Sequence, residues 1–371
     1  MIKVALYINH PSQFYFFRLL TDSLKRRNID SQIFVREKEI LGCLLSRSGL
    51  TYKTVGTTKG DNRMTGLISS VFRKNIMLIR ELKKYKPDFL ISCGSDVAQA
   101  GFCLGIPRFV LNDDDAKVVP LSAIFGWPFA SLIFAPEACN MGFWRRKTIA
   151  YKGYFKAGYL HPAYFKPDPK ILSKYGLEEG KYFLIRSVSL TAHHDRNIRG
   201  LNNELVGQLV SELSLKGKVF ISSERELPSH LNSFRLQIDP ADMHHILSFA
   251  SLLISDSQSM THEAALLGTP SVRFNDFYDK VGVLNELESK YDLTYGISPD
   301  KPDQLFEKVG ILTGLSDKCS YRGRASTLLS ESTDLPELIA WFVSNYPQSR
   351  VILTSYPKNM INFSFRNKPR F

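Results

Sequence analysis

The residues with the clearest chemical potential lie between Ser255 and Glu263. An apolar segment ends in Ser255-Asp256-Ser257, and a segment of helical character begins directly afterwards. The first amide groups of a helix lack intrahelical acceptors and attract anions, so this turn predicts a phosphate site. Glu263, about one turn further in, could accept both hydroxyls of a ribose. The alternative is an ordinary turn in which Ser or Asp caps the helix. The residues expected to contact phosphate are Ser257, Gln258, Ser259 and Met260.

A second polar set lies upstream, after the strand predicted at Tyr182–Ser187. It is rich in cationic side chains that could neutralise a diphosphate, with arginine acting as a bidentate clamp. Its members are Arg186, His193, His194, Arg196 and Arg199, and Ser222 follows the next predicted strand. The alternative is a solvated polar loop that binds no ligand.

The first half of the chain offers candidates for a general base. His10 directly follows the first predicted strand, and the pKa of histidine lies near the operating range. Asp96 and Asp113 follow later strands. Asp113 begins a run of three aspartates that cannot all ionise cheaply if they are buried, so at least one pKa should be raised. The alternatives are a turn histidine that caps the first helix and an exposed acidic loop.

These residues all follow short apolar segments, because predicted strands and helices alternate along the chain. This alternation predicts an α/β fold with parallel sheets covered on both faces. A stretch rich in Gly and Pro at 151–170 indicates a linker. We therefore expect two Rossmann-like domains with a cleft between them. The expected domains are 1–160, 161–345 and a basic aromatic tail, 346–371, that could pack back on the first domain.

The charge is distributed unevenly. The 371 residues have a net charge of +12 and 44% hydrophobic residues, a composition that excludes wholesale disorder and a small disulfide scaffold. Residues 1–165 hold 24 Lys and Arg against 12 Asp and Glu, residues 166–337 hold 19 against 24, and residues 338–371 hold 5 against none. Such asymmetry indicates an anionic lipid, a phosphorylated substrate or nucleic acid as partner, or simply a basic soluble surface. No RNA-binding signature is present, so we expect no nucleic acid partner.

Two further features concern the cell compartment. Val118–Pro136 carries no formal charge, but Pro120 and Pro128 would break a spanning helix. It predicts a buried helix, a turn and a strand, with monotopic membrane contact as the alternative. Phe143–Lys147 and the tail combine aromatic and basic residues, which suits anionic headgroups. The five cysteines form no CxxC pair, which disfavours a structural zinc site, and their odd number within apolar stretches indicates reduced thiols in a cytoplasmic protein.

The segment from Ser255 to Pro270 resembles the nucleotide-sugar signature of GT-B-fold enzymes, and most closely that of the non-hydrolysing UDP-N-acetylglucosamine 2-epimerases. Gln258-Ser259 replaces a glycine pair in this signature. Thr191–Asn197 is similar to a second epimerase motif, in which His193 takes the place of an active-site histidine. The resemblance implies diphosphate binding by the loop, ribose binding by Glu263 and no catalytic metal. The matching residues are Ser255, Asp256, Ser257, Glu263, Ala264, Leu267, Gly268 and Pro270.

The whole chain is also similar to an uncharacterised archaeal and bacterial family of GT-B-like proteins. The resemblance is carried by Ile8–Pro11, Phe16–Arg18, Ile91–Ser95, Ile221–Glu224 and the block around Ser257. It implies a GT-B-like fold and distant kinship with the epimerases.

Together these features predict a cytoplasmic GT-B-type glycosyltransferase, peripheral on the inner membrane. It would move a sugar from a UDP-linked donor on the second domain to an anionic glycan or lipid-linked acceptor on the first. His10, Asp96 or Asp113 would deprotonate the acceptor hydroxyl. No cofactor is expected, since the nucleotide sugar is a substrate. The alternatives are a UDP-N-acetylhexosamine 2-epimerase, which the missing H-x-E-A-G pattern disfavours, and a non-catalytic nucleotide-sugar or glycan-binding protein.

Overall fold

The chain forms two compact units. The computed structural model describes residues 1–36, 39–55, 64–94, 97–189, 198–314, 319–355 and 363–365. Unit 1 consists of Met1–Tyr159 together with Glu331–Phe371, and unit 2 consists of Leu160–Ser330. The chain thus returns to unit 1 at Glu331, whereas the sequence places the end of the second domain at residue 345.

Seven parallel strands form the sheet of unit 1, in the order β3-β2-β1-β4-β5-β6-β7. All four residues of β4 are buried, as expected for a parallel sheet with helices on both faces. The order reverses between β1 and β4, so the loops that follow these two strands diverge and leave a crevice. The strands are β1 Lys3–Ile8, β2 Asp30–Val35, β3 Tyr52–Thr54, β4 Phe89–Ser92, β5 Arg108–Leu111, β6 Leu132–Pro136 and β7 Thr148–Tyr151.

The helices of this first segment connect the strands. Helix α1 buries one apolar face that includes Phe16, Phe17 and Leu20, because these residues recur at helical spacing. The helices are α1 Phe14–Lys25, α2 Glu39–Ser48, α3 Met64–Tyr85, α4 Val97–Cys103, α5 Pro120–Phe125 and α6 Ala157–Leu160. Short 3₁₀ helices span Pro11–Gln13, Trp127–Phe129 and Gly142–Lys147.

Unit 2 has a sheet of five parallel strands in the order β12-β11-β10-β8-β9, which reverses between β8 and β10. The strands are β8 Tyr182–Ser187, β9 Lys218–Ser223, β10 Leu252–Ser255, β11 Ser271–Phe274 and β12 Thr294–Ile297. The helices are α7 Lys170–Ser173, α8 Asn203–Leu213, α9 Met243–Phe249, α10 Gln258–Leu266, α11 Gly282–Ser289, α12 Pro302–Gly314 and α13 Cys319–Glu331. Gly268 follows the C-terminal end of α10 at φ +73°, and a Cβ there would lie 2.8 Å from the Arg322 Cα. Only glycine therefore fits at this helix end.

The returning segment completes the core of unit 1. It contains α14 Leu335–Ser344 and α15 Gln348–Ser355. The Phe342 ring of α14 lies 5.1 Å from the ring of Phe134 and 5.2 Å from that of Phe109, on strands β6 and β5. Further on, Phe365 donates its amide hydrogen to Ser332 at 3.1 Å and is buried. Residues 356–362 and 366–371 of the predicted tail lie outside the described residues.

The alternation predicted from sequence is confirmed: the fold is α/β, with two parallel sheets of seven and five strands. One expectation is wrong. The helix predicted to be buried within Val118–Pro136 is α5, and its Leu121, Ile124 and Phe125 side chains are 54%, 60% and 59% exposed. The segment after it does form the expected turn and buried strand β6.

Candidate functional site

The topology of unit 2 places Arg186, of the second predicted polar set, beside the turn that follows β10. Strands β8 and β10 flank the point where the strand order reverses, and ligands of such sheets bind at the carboxyl ends of strands there. Arg186 pairs in register with Ser255, so the end of β8 lies beside the turn that follows β10. The amide of Asp256 donates to the Arg186 carbonyl at 3.2 Å.

The predicted phosphate-binding turn is formed as expected for a helix N-terminus. Ser257 caps α10, and its Oγ accepts the Met260 amide hydrogen at 3.3 Å. Ser257 is held in turn, because its amide donates to Ser255 Oγ at 2.8 Å. The amides of Gln258 and Ser259 occupy the first helical turn, where no intrahelical acceptor exists. Both residues are partly exposed, so this turn presents amide donors and small polar side chains on the surface of unit 2.

Asp256 holds the loops around this turn in place. It is 2% exposed. One carboxylate oxygen accepts the Val188 amide at 2.8 Å, and the other forms an ion pair with Arg225 Nη2 at 2.5 Å. The Asp256 carbonyl accepts Asn275 Nδ2 at 2.8 Å. Burial raises the pKa of Asp256 to about 6, although the Val188 amide and the Arg225 charge act in the opposite direction. Asp256 therefore connects the loops after β8, β9 and β11.

Arg186 and Ser222 lie side by side, as neighbouring strands place them. The Arg186 Nη1 donates to Ser222 Oγ at 2.9 Å, and Nη2 forms an ion pair with Glu224. Glu224 also accepts the Ser189 amide at 3.2 Å. Arg186 therefore has an internal counter-ion that a diphosphate would have to displace or share. Glu224 was not predicted as a site residue, although it stands two residues after Ser222.

Glu263 is mostly buried within unit 2, with a small part of its side chain exposed. It is 8% exposed, and its Oε1 lies 3.4 Å from His244 Nε2 on α9. The Phe165 ring packs 5.8 Å from the His244 ring. His244 was not predicted as a site residue, because a histidine inside an apolar helix usually indicates only packing. The adjacent His245 accepts the Asp168 amide, and burial lowers the pKa of His245.

Asp96 and three members of the cationic set, His193, His194 and Arg196, lie outside the described residues. His10 follows β1 at the reversal point of the unit 1 sheet. Its Nδ1 accepts the Ser12 amide at 3.2 Å and lies 2.7 Å from Ser12 Oγ, so it caps the short 3₁₀ helix. His10 is exposed.

One aspartate of the run after β5 forms an ion pair with a buried lysine. Lys156 is 6% exposed, and its Nζ lies 3.1 Å from Asp113 Oδ2. Burial and the Asp113 charge raise the pKa of Asp114 to about 7, and Lys156 counteracts part of this shift. Burial and the Asp113 charge likewise raise the pKa of Cys93, which follows β4. The expectation that at least one of the three aspartates has a raised pKa is thus supported at Asp114.

Tyr151, at the end of β7, belongs to the same neighbourhood. Its pKa is raised, first by burial and then by the Asp113 charge. The Tyr151 side chain is 1% exposed, and among the described residues its hydroxyl has no hydrogen-bond partner. Neither Lys156 nor Tyr151 was identified in the sequence. The only available signal was a lone lysine in the aromatic stretch Tyr154-Phe155-Lys156.

Comparison with solved structures shows the same fold over the whole chain. A Staphylococcus aureus MnaA–UDP co-structure matches with a TM-score of 0.62 at 14% identity, covering 100% of this chain and 99% of that one. A Neisseria meningitidis UDP-GlcNAc 2-epimerase bound to UDP-GlcNAc matches with 0.57 at 14% identity, covering 96% and 100%. The spinosyn rhamnosyltransferase SpnG complexed with thymidine diphosphate matches with 0.56 at 12% identity, covering 92% and 99%. The fold is therefore GT-B-like.

Sequence comparison places the chain in a family. No curated protein sequence matches it. The model of one family, described as a protein of unknown function (DUF354), matches residues 2–281, which include the turn before α10 and the aspartate run after β5. Because this match spans most of the chain, the protein is a member of the DUF354 family.

Proposed function

We propose that the protein is a glycosyltransferase that binds a nucleoside diphosphate sugar on unit 2 and transfers the sugar to an acceptor on unit 1. The observation that carries the proposal is the turn before α10. The contacts of Asp256 with Val188 and Arg225 hold this turn in place. The turn presents the Gln258 and Ser259 amides where the strand order of the sheet reverses. A preorganised turn of this kind suits a diphosphate, because its donors need no rearrangement when the anion binds.

The proposed donor contacts follow from this arrangement. The amides of Gln258 and Ser259 and the hydroxyls of Ser257 and Ser259 hydrogen-bond the diphosphate, while the Met260 amide closes the turn on Ser257 Oγ. Arg186, which Ser222 positions, neutralises the charge of the diphosphate. His193 is proposed to lie near the diphosphate on the basis of the family resemblance alone. Glu263 binds the ribose hydroxyls from its position beside His244. The solved relatives named with UDP, UDP-GlcNAc and thymidine diphosphate support this class of ligand.

The acidic cluster of unit 1 supplies the proposed base. A base accepts the proton of an acceptor hydroxyl as that oxygen attacks the anomeric carbon. The bond from this carbon to the β-phosphate oxygen breaks, and the nucleoside diphosphate leaves with the electron pair. Asp113 is the proposed base, and its Oδ2 lies 3.1 Å from Lys156 Nζ. His10 and Asp96 are the alternative bases.

A 2-epimerase activity is the second candidate. The carboxyl of Asp114, with a pKa of about 7, can hold or release a proton at neutral pH, as proton transfer at a sugar carbon requires. The two candidates differ in one observable respect: an epimerase changes the sugar without an acceptor.

The donor site is tested by UDP binding. We expect Glu263→Gln to weaken the Kd for UDP about ten-fold or more, because a charge-assisted hydrogen bond to the ribose is lost. Glu307→Gln, which alters an exposed glutamate on α12 of the same unit, serves as the control and should leave the Kd unchanged. Isothermal titration calorimetry measures both. Equal affinities for wild type and Glu263→Gln would show that the ribose binds elsewhere.

The reaction is tested by product analysis. UDP-GlcNAc is incubated with the protein alone and then with vesicles that contain a polyprenyl-linked glycan, whose sugar hydroxyls can act as acceptors, and nucleotides and lipids are separated by chromatography. Release of UDP only with the vesicles, and its loss in Asp113→Asn, supports the transferase. An epimerised UDP-sugar formed without vesicles contradicts the transferase and supports the epimerase.

A further inference from the structure

Unit 1 exposes a set of large apolar side chains on two short helices. Leu121, Ile124 and Phe125 on α5 are more than half exposed, and Phe143 on the 3₁₀ helix Gly142–Lys147 is 80% exposed. The three α5 residues follow an i, i+3, i+4 spacing and therefore share one face of the helix. Single exposed apolar residues are common, but a group of this size indicates a surface that something other than water covers.

The two helices form one continuous structure. Trp127, in the turn that follows α5, is buried, and the Trp144 ring packs edge-on against it at 6.4 Å. Lys147 Nζ donates to the carbonyls of Pro128 and Ala130 at 2.9 and 3.2 Å, which fixes the second helix to the same turn. The exposed side chains of α5 and Phe143 are therefore carried by two helices that are joined through the Trp127–Trp144 contact and the Lys147 hydrogen bonds.

Cations accompany these apolar groups. Arg145 and Arg146 flank Phe143 and are exposed, and within the described part of the chain neither has an acidic partner. Together with Gly142 and Phe143 they line a pocket of about 530 Å³. Between residues 116 and 152 the chain has five Lys and Arg and a single acidic residue, Glu137. We name the surface formed by Leu121, Ile124, Phe125, Phe143, Arg145 and Arg146 the apolar-basic face.

We propose that the apolar-basic face docks on an anionic phospholipid membrane. Arginines that flank exposed aromatic and aliphatic side chains match the interface between headgroups and acyl chains. The apolar side chains are 54–80% exposed and project from the surface, and a fluid lipid layer accommodates such side chains without a complementary shape. The contact lies in the membrane surface, because no helix among the described residues is long and apolar enough to cross it.

The test is sedimentation of the full chain with vesicles. We expect wild type to bind vesicles of 30% phosphatidylglycerol and 70% phosphatidylcholine, and 0.5 M NaCl to weaken this binding. Arg145→Gln with Arg146→Gln should lower the partition coefficient about ten-fold or more. Arg80→Gln with Lys83→Gln removes two exposed cations from α3 of the same unit and should change it little.

The apolar side chains are tested separately. Ile124→Ser with Phe143→Ser should also reduce vesicle binding at least ten-fold. Leu215→Ser, which changes an 87% exposed leucine in unit 2, is the matched control. Circular dichroism confirms that each variant is folded. The proposal is overturned if wild type does not bind anionic vesicles, or if both double variants bind them as tightly as wild type does. It is also overturned if the apolar-basic face instead holds two copies of the chain together in solution.

Discussion

Asp114 shows how one residue can make stability depend on pH. In an unfolded chain an aspartate titrates near 4, whereas the pKa of Asp114 in the folded protein is about 7. The folded state therefore binds this proton more tightly. Ionisation of Asp114 costs stability as the pH rises from about 4 to 7, and the whole cost is present above 7.

Asp114→Asn mimics the protonated form and should remove this cost. We expect wild type and variant to be equally stable near pH 4.5, and the variant to be more stable at pH 8 by about 1–2 kcal/mol, a figure reduced for the partial exposure of the residue. Urea unfolding at both pH values measures this. Asp22→Asn, at an exposed aspartate of α1, is the control. A variant less stable than wild type at pH 8 would show that the carboxylate is favourably paired.

Tyr151 offers a second test at the scale of one residue. Removing a buried hydroxyl normally destabilises a protein, because a hydrogen bond is lost. The Tyr151 hydroxyl has no partner among the described residues, so Tyr151→Phe should change the free energy of unfolding by no more than about 0.5 kcal/mol or stabilise the protein. Thermal unfolding gives the answer. If activity falls in this variant while stability does not, the hydroxyl serves the substrate.

At the scale of elements, Glu337 joins α14 to α1. Its carboxylate accepts hydrogen bonds from Ser23 and Arg26 and lies 2.8 Å from Arg27 Nη2. Burial would raise the pKa of Glu337, but these hydrogen bonds and the Arg27 charge lower it below its usual value. The folded state therefore favours the ionised form. The stabilisation is complete above about pH 4.3, the pKa of an unfolded glutamate, and is lost as the pH falls through the lowered pKa.

Glu337→Gln should therefore lower the free energy of unfolding by about 1–3 kcal/mol at pH 7, and by much less near pH 3. Urea unfolding followed by circular dichroism measures the difference. The exposed Glu331 is the comparison, and Glu331→Gln should stay within about 0.5 kcal/mol of wild type. A loss at pH 7 that persists unchanged at pH 3 would assign the effect to packing rather than charge.

The elements also show what a sequence can and cannot disclose. Buried central strands such as β4 and β10 are continuous apolar runs and are readily predicted. The edge strands β7 and β12 were not predicted from the sequence, because each is buried only in part and carries polar residues or glycine. The exposed face of α5 was predicted to be buried, since an apolar pattern does not reveal what covers it.

The site was predictable to a similar extent. Ser257 as a helix cap follows from local chemistry, which a sequence displays directly. The contacts of Asp113 with Lys156 and of Glu263 with His244 join residues 43 and 19 positions apart. Only the tertiary fold creates such pairs, so no spacing rule could identify them.

At the scale of the whole molecule, the two units should differ in their dependence on the chain that follows residue 330. Unit 2 is continuous and has its own buried core, which includes Leu184, Leu247 and Leu253. Unit 1 requires α14, whose Leu335, Leu338, Ile339 and Phe342 are fully buried. A fragment of residues 160–330 should therefore unfold cooperatively on its own, as calorimetry would show.

The complementary fragment is the sharper test. Residues 1–330 should keep a folded unit 2 and a unit 1 that binds hydrophobic dyes and is digested by proteases, because its sheet lacks the helix that packs on Phe109 and Phe134. If unit 1 resists proteolysis in this fragment as it does in the full chain, α14 contributes little to its core.

The return of the chain to unit 1 at Glu331 also sets an order of events during synthesis. Domains usually fold in the order in which the ribosome releases them. Here the first unit to begin is the last to be completed, because α14 is translated after all of unit 2. For the time needed to translate unit 2, the nascent chain carries a seven-stranded sheet with an uncovered apolar surface. We therefore expect newly made chains to depend on chaperones until α14 emerges.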